Sequence, residues 1–252
     1  MDVVERPDRR VHPAAPVPSC PDWNADDLLW HLAEVQWFWA EVVRTRTDDP
    51  DTVEAAKPDR PTGREGLTAF FSEATASLHG ALTAASPEDR AWTWAAEQTV
   101  GFVVRRQAHE ALIHRVDAEL TAGSRTLMDP RLSADGVDEV LRVMFSDLPA
   151  WASFTPDPEG PLRVVATDTD RSWKVTTGRF RGTSPSSGRT YDEPALDVAR
   201  EDDGVPAAAT ITGSAADLDC LLWNRPPPGR VTRAGEAPVL AALDALTSAG
   251  VQ

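Results

Sequence analysis

The chain is short of several things, and each shortage excludes something. Its 252 residues contain two cysteines, Cys20 and Cys220, far apart in the sequence. A disulfide framework is therefore not expected, and a reducing cytoplasm is the default compartment. Lysine is nearly missing: Lys57 and Lys174 are the whole complement, and arginine carries the rest of the positive charge. Basic charge as a whole is outnumbered, leaving a net charge of −15. That excludes a general nucleic-acid binder, which would show a basic face, and a protein drawn to an anionic membrane surface. No apolar run approaches the roughly 18 residues of a membrane span. The first ten residues, MDVVERPDRR, are charged and lack the apolar core of a secretory signal. There is no HExxH pair, no Gly-rich phosphate loop and no G-x-S-x-G elbow.

What is present is helical periodicity, followed by a change of pattern. The length suits one large domain or two modest ones. Residues 1–23 are Pro-rich and read as irregular. Asn24 then offers an N-cap, with Asp26 and Asp27 in the first turn where the helix dipole favours negative charge. The helix it opens runs to about residue 46, with Leu28, Leu32, Val35, Trp39 and Val42 as its apolar stripe. Residues 47–62 are acidic and Pro-containing and read as a loop. Further helices are expected at 64–84, at 99–121 and at 133–148. Together these make a four-helix bundle over residues 1–150. Beyond Pro149 the period changes from 3.6 to 2. Strands are expected at 162–167, 172–176 and 207–212, a helix at 215–224 after the cap Ser214, a short strand at 231–234 and a closing helix at 238–246. Residues 151–252 thus read as a smaller α+β domain, with the boundary near 149–160 and with 182–205 showing no clear period.

The third helix carries the chemistry. Val103, Arg106, Glu110, His114 and Asp117 project within one narrow sector, beside an apolar column of Phe102, Ile113, Val116 and Leu120 with His109 among them. Glu110 and His114, one turn apart, can aim at one point, as a metal or an acid/base pair requires. Taken alone, such a pair is an ordinary surface contact. His31 lies about 60° from the centre of its own helix's stripe, and alone it reads as a satisfied core side chain. The combination carries more. Bundles build metal sites from carboxylates and histidines on facing helices. A His, Glu and His set with an open fourth position is a ligand set of catalytic zinc sites. Asp117, one turn beyond His114, is placed either to accept from that imidazole as an outer partner or to form a salt bridge with Arg106 or Arg115.

These residues carry a family resemblance. Cys20-Pro21-x-Trp23, Asp27-Leu28-x-x-His31-Leu32 and Glu110-x-x-x-His114-Arg115-x-Asp117-Ala118-Glu119 resemble the mycothiol-dependent maleylpyruvate isomerase family, a branch of the DinB-like metal-dependent four-helix bundles. The segment 211–218, ITGSAADL, continuing to Leu221-Leu222-Trp223-Asn224-Arg225, is similar to that family's second domain, which is sterol-carrier-like in fold. The resemblance implies an N-terminal DinB-like bundle and a C-terminal α+β sterol-carrier-like domain. It also implies a divalent metal, usually zinc, held by His31, Glu110 and His114. It implies mycothiol as cosubstrate and an arginine of the second domain that reaches toward the active site, for which Arg225 is the candidate. By its position alone Arg225 is a helix-end cation. Many relatives carry Trp where this chain has Val116.

The expectation is therefore an enzyme in which a metal-bound thiolate attacks a small electrophile. The outcome is either S-transfer or cis–trans isomerisation of a maleylpyruvate-like acid. The partners expected are a small-molecule thiol and its electrophile, with no nucleic acid and no membrane, for a monomer or homodimer. The rival is a metal-binding regulatory or interaction module without turnover, suggested by the Pro-rich N-terminal segment and the many tryptophans.

Overall fold

A computed structural model describes residues 11–146, 148–200 and 204–249. The first ten residues, on which the absence of a signal was read, lie outside this set. The chain divides into two compact units, residues 1–126 and 127–252.

In the first unit a short hairpin, β1 (Pro16–Val17) with β2 (Cys20–Asn24), leads directly into α1 (Ala25–Thr45). Asn24 starts that helix as the sequence suggests. Its side chain accepts from the Asp26 and Asp27 amides, while Asp27 reaches back to the Asn24 amide, a capping box. A short α2 (Pro50–Ala55), capped by Asp49 with Pro50 in the first turn, lies inside the segment read as loop. Then come α3 (Gly63–Thr83) and α4 (Val100–Thr121), the latter capped by Thr99. α1 packs against both α3 and α4. Trp39, Val42, Val43, Leu78, Val100 and Val103 form the shared core, with Phe38 and Trp92 against it. Each fully buried side chain of this kind contributes about 1.5–3 kcal/mol. α4 is buried on a wider arc than one apolar column. Arg106, Gln107, His109, His114 and Asp117 are all inside, so the helix brings its polar groups in with its apolar ones.

The second unit corrects one expectation. The helix read at 133–148 as the fourth of the bundle is α5 (Pro130–Glu139), continued by a π-turn at Val140–Met144. It belongs to the second unit, where it packs against α6 (Ala215–Leu222). The units divide between residues 126 and 127 and not at 149–160. Periodicity reveals an apolar face, here Val137, Val140 and Leu141, but not what that face covers. The fourth helix of the first unit is instead the short α2.

The sheet of the second unit comprises β3 (Ser153–Pro156), β4 (Leu162–Ala166), β5 (Ser172–Thr183), β6 (Thr190–Val198), β7 (Ala209–Gly213) and β8 (Thr232–Gly235), with α7 (Ala237–Ala249) closing the chain. β5 is long enough to pair β4 along its first half and β3 along its second, while β6 pairs its other edge. β4 and β7 run parallel, and the remaining pairs are antiparallel. Alternating burial along β4 and β7 sends Leu162, Val164 and Ile211 inward with Leu196, Leu218 and Leu243. This unit is α+β, as expected.

Candidate metal centre

α1 and α4 bring three ligand-type side chains to one point. His31 stands on the second turn of α1, and Glu110 and His114 stand one turn apart on α4. Glu110 Oε1 lies 3.0 Å from His31 Nε2 and 3.1 Å from His114 Nε2. One ligand atom from each of the three falls within 4.8 Å of the others. Two ligands at about 2.0–2.1 Å from a tetrahedral zinc stand roughly 3.3 Å apart, so the spacing and the donor chemistry both suit a divalent metal. The side chains are 26%, 18% and 10% exposed for His31, Glu110 and His114, so none of the three is sealed from solvent and His31 is the most open.

A second layer fixes the first. Asp117 Oδ2 accepts from His114 Nδ1 at 2.8 Å, and the aspartate is fully buried. Arg106 pairs with Glu110, Nη2 to Oε2 at 3.2 Å, and Arg115 with Glu119 at 3.6 Å. Ser19 Oγ donates to Asp117 Oδ1, and Cys20 Sγ donates to Oδ2 at 3.8 Å. Trp23 covers the imidazoles, its ring centroid 4.7 Å from that of His31 and 5.9 Å from that of His114.

The electrostatics follow from these contacts. Burial opposes ionisation of Glu110, but hydrogen bonds from His114 and His31 and the Arg106 charge outweigh it. They hold the carboxyl well below the ordinary carboxylate range. Burial likewise disfavours a charged His114, yet Asp117 and Glu110 on its two nitrogens raise its pKa above the usual imidazole value. The site therefore keeps an anionic oxygen at neutral pH. A proton and a metal compete there for the same His114 Nε2 lone pair.

Two family models match the chain in sequence order. Residues 2–119 match the mycothiol maleylpyruvate isomerase N-terminal domain, and residues 131–242 match the C-terminal domain that accompanies it. The chain belongs to the mycothiol maleylpyruvate isomerase family. The two matches fall one in each compact unit. No significant match to a curated protein or to a solved structure accompanies them. Within this family member, Arg225 lies in the second unit just past α6, where its Nη1 donates to the Trp223 carbonyl at 2.6 Å. Four groups around the centre were given no place in it from the sequence. Ser19 lies in a segment read as irregular. Arg106 reads as a surface partner but is buried. Cys20 and Trp23 entered only as motif letters. The hydroxyl had no sequence signal, while Arg106 shares the sector of Glu110 in the sequence, which brings the two together but does not tell that Arg106 is buried.

Proposed function

We propose that the protein binds one divalent metal, zinc foremost, through His31, Glu110 and His114, and uses it to activate the thiol of mycothiol toward a small electrophile. The convergence of the two Nε2 atoms on Glu110 Oε1 carries this reading, and the family supplies the thiol. A metal at this point stabilises a thiolate over a thiol at neutral pH. The rest is done by the chain. Glu110 offers one anionic oxygen toward the centre and gives the other to Arg106, which balances its charge. Asp117 takes the Nδ1–H of His114 and leaves Nε2 as the coordinating atom. Trp23 lies against both imidazoles and limits the water that reaches them.

Two outcomes share the first bond. The thiol sulfur adds to an electrophilic carbon. If that carbon belongs to a cis double bond conjugated with a carbonyl, the former double bond becomes single and rotates. Breaking the carbon–sulfur bond then regenerates thiol and the trans acid. If the carbon bears a leaving group, that group departs and the sulfur stays. Arg225 is proposed to hold an acidic group of the substrate or thiol, which a guanidinium does in bidentate fashion.

The test has two steps. Metal content is measured on the purified protein, and mycothiol binding is then followed by calorimetry on the loaded form, with mass detection of adducts across a panel of electrophiles. Thiol binding that disappears with the metal supports the reading. Metal without thiol binding would leave a metal-binding interaction module.

A further inference from the structure

The β1–β2 hairpin reaches the candidate centre through one buried carboxylate. Asp117 receives His114 Nδ1 and Cys20 Sγ on Oδ2 and Ser19 Oγ on Oδ1. Ser19 and Cys20 lie 98 and 97 residues before Asp117 in sequence, so these contacts are a feature of the fold and not of local chain geometry. The hairpin is fixed in place. Its preceding segment accepts from the start of α1, Ala25 N to Ala15 O at 2.9 Å and Asp26 N to Pro13 O at 3.1 Å. Val17 on β1 is 1% exposed, and β1 packs against α4. The turn between the strands can therefore hold a hydroxyl against Asp117 with little freedom to lose.

We infer that Ser19 is a positioning residue for His114, acting through Asp117, with Cys20 supporting it as a thiol donor. The inference rests on the metal-binding reading above. A carboxylate that has donors on both oxygens cannot rotate away from the imidazole. With Ser19 in place, Oδ1 is held by the hydroxyl and Oδ2 is presented to Nδ1–H, which fixes both the ring plane and the tautomer of His114. Without it, a fully buried oxygen loses a donor, and the carboxylate can turn to recover one from elsewhere. Cys20 has the complementary role. Its thiol donates to Oδ2, the oxygen that also takes His114 Nδ1, at 3.8 Å.

Outer partners of ligating histidines typically change metal affinity by about 10–100-fold. Ser19, one bond further out than Asp117, is expected at the lower end. The experiment loads wild type, Ser19→Ala, Ser19→Thr and Cys20→Ser with cobalt(II). It records the visible ligand-field spectrum and measures zinc affinity by competition with a chromogenic chelator. It also reads the His114 tautomer by long-range nitrogen–proton correlation. The expected result is weaker zinc binding by about tenfold and an altered cobalt spectrum in Ser19→Ala. Affinity and spectrum should return in Ser19→Thr, which keeps the hydroxyl, and stay near wild type in Cys20→Ser, which keeps a donor. Unchanged affinity and spectrum in Ser19→Ala would overturn the inference while leaving the metal reading intact. Equal losses in Ser19→Ala and Ser19→Thr would also overturn it, because then the backbone and not the hydroxyl matters. If wild type takes up no metal, the parent reading fails and takes this inference with it.

Discussion

His114 Nδ1 lies 2.8 Å from Asp117 Oδ2, one turn along α4, and Asp117 has no exposure to solvent. A carboxylate buried this fully needs donors, and it takes them from an imidazole of the same helix and from the hairpin before α1. The second layer of the candidate centre is thus part of the core.

Asp117→Asn should weaken zinc binding by about 10–100-fold, because an amide can present its NH2 to Nδ1 and favour the wrong tautomer. Chelator competition measures this directly. The far-ultraviolet circular dichroism spectrum should be unchanged, since the helix caps of α4 are not involved.

Arg106→Met should raise the cost of an ionised Glu110, which loses its partner at 3.2 Å on Oε2. Truncating one partner of a buried charge pair costs roughly 3–5 kcal/mol. Part of that should be recovered on metal loading, since the metal supplies a compensating charge. Chemical denaturation of the metal-free and loaded variant separates the two contributions.

In the second unit Asp138 accepts from Trp173 Nε1 at 2.8 Å, from Arg171 at 3.0 Å and from Arg142 at 3.1 Å. Burial opposes its charge, but the Trp173 bond and the two guanidiniums hold its pKa below the ordinary Asp value. A lowered folded pKa gives stability that is present above the unfolded value of about 3.9 and is lost as pH falls through the folded one. Asp138→Asn should therefore be destabilised relative to wild type at pH 7, with the gap closing below about pH 3.9. Thermal unfolding at the two pH values checks the sign.

Leu78 on α3 is 7% exposed and packs in the core shared with Trp39 and Val103. Leu78→Ala should cost about 2–5 kcal/mol in denaturant unfolding. Zinc affinity should be little changed, because the ligands stand on α1 and α4.

Much of this was legible in the sequence. Asn24, Asp26 and Asp27 mark the start of α1, and the 3.6 period locates α3 and α4 within a residue or so. The spacing of Glu110 and His114 puts both on one side of α4, and His31 occupies the edge of α1's stripe that meets them. What was not legible has physical causes. The hairpin is too short for alternation to show, with a two-residue β1 and Pro18 and Pro21 around its turn. β6 carries Pro194 and buries Ala195 and Leu196 in succession, so period 2 is lost; Pro is tolerated because, among the described residues, β6 pairs β5 alone. α5 shows an apolar face, but nothing local says that α6, about eighty residues on, covers it. Arg106 reads as solvated by type, and only the packed fold reveals that it is buried beside Glu110.

The central claim is that His31, Glu110 and His114 form one metal site. Elemental analysis of wild type and His114→Ala, purified identically and both shown to be folded, tests it most directly. One equivalent of a divalent metal per wild-type chain, with clear loss in His114→Ala, is the predicted result. Equal metal in the two proteins, or none in a wild type offered zinc, would contradict it.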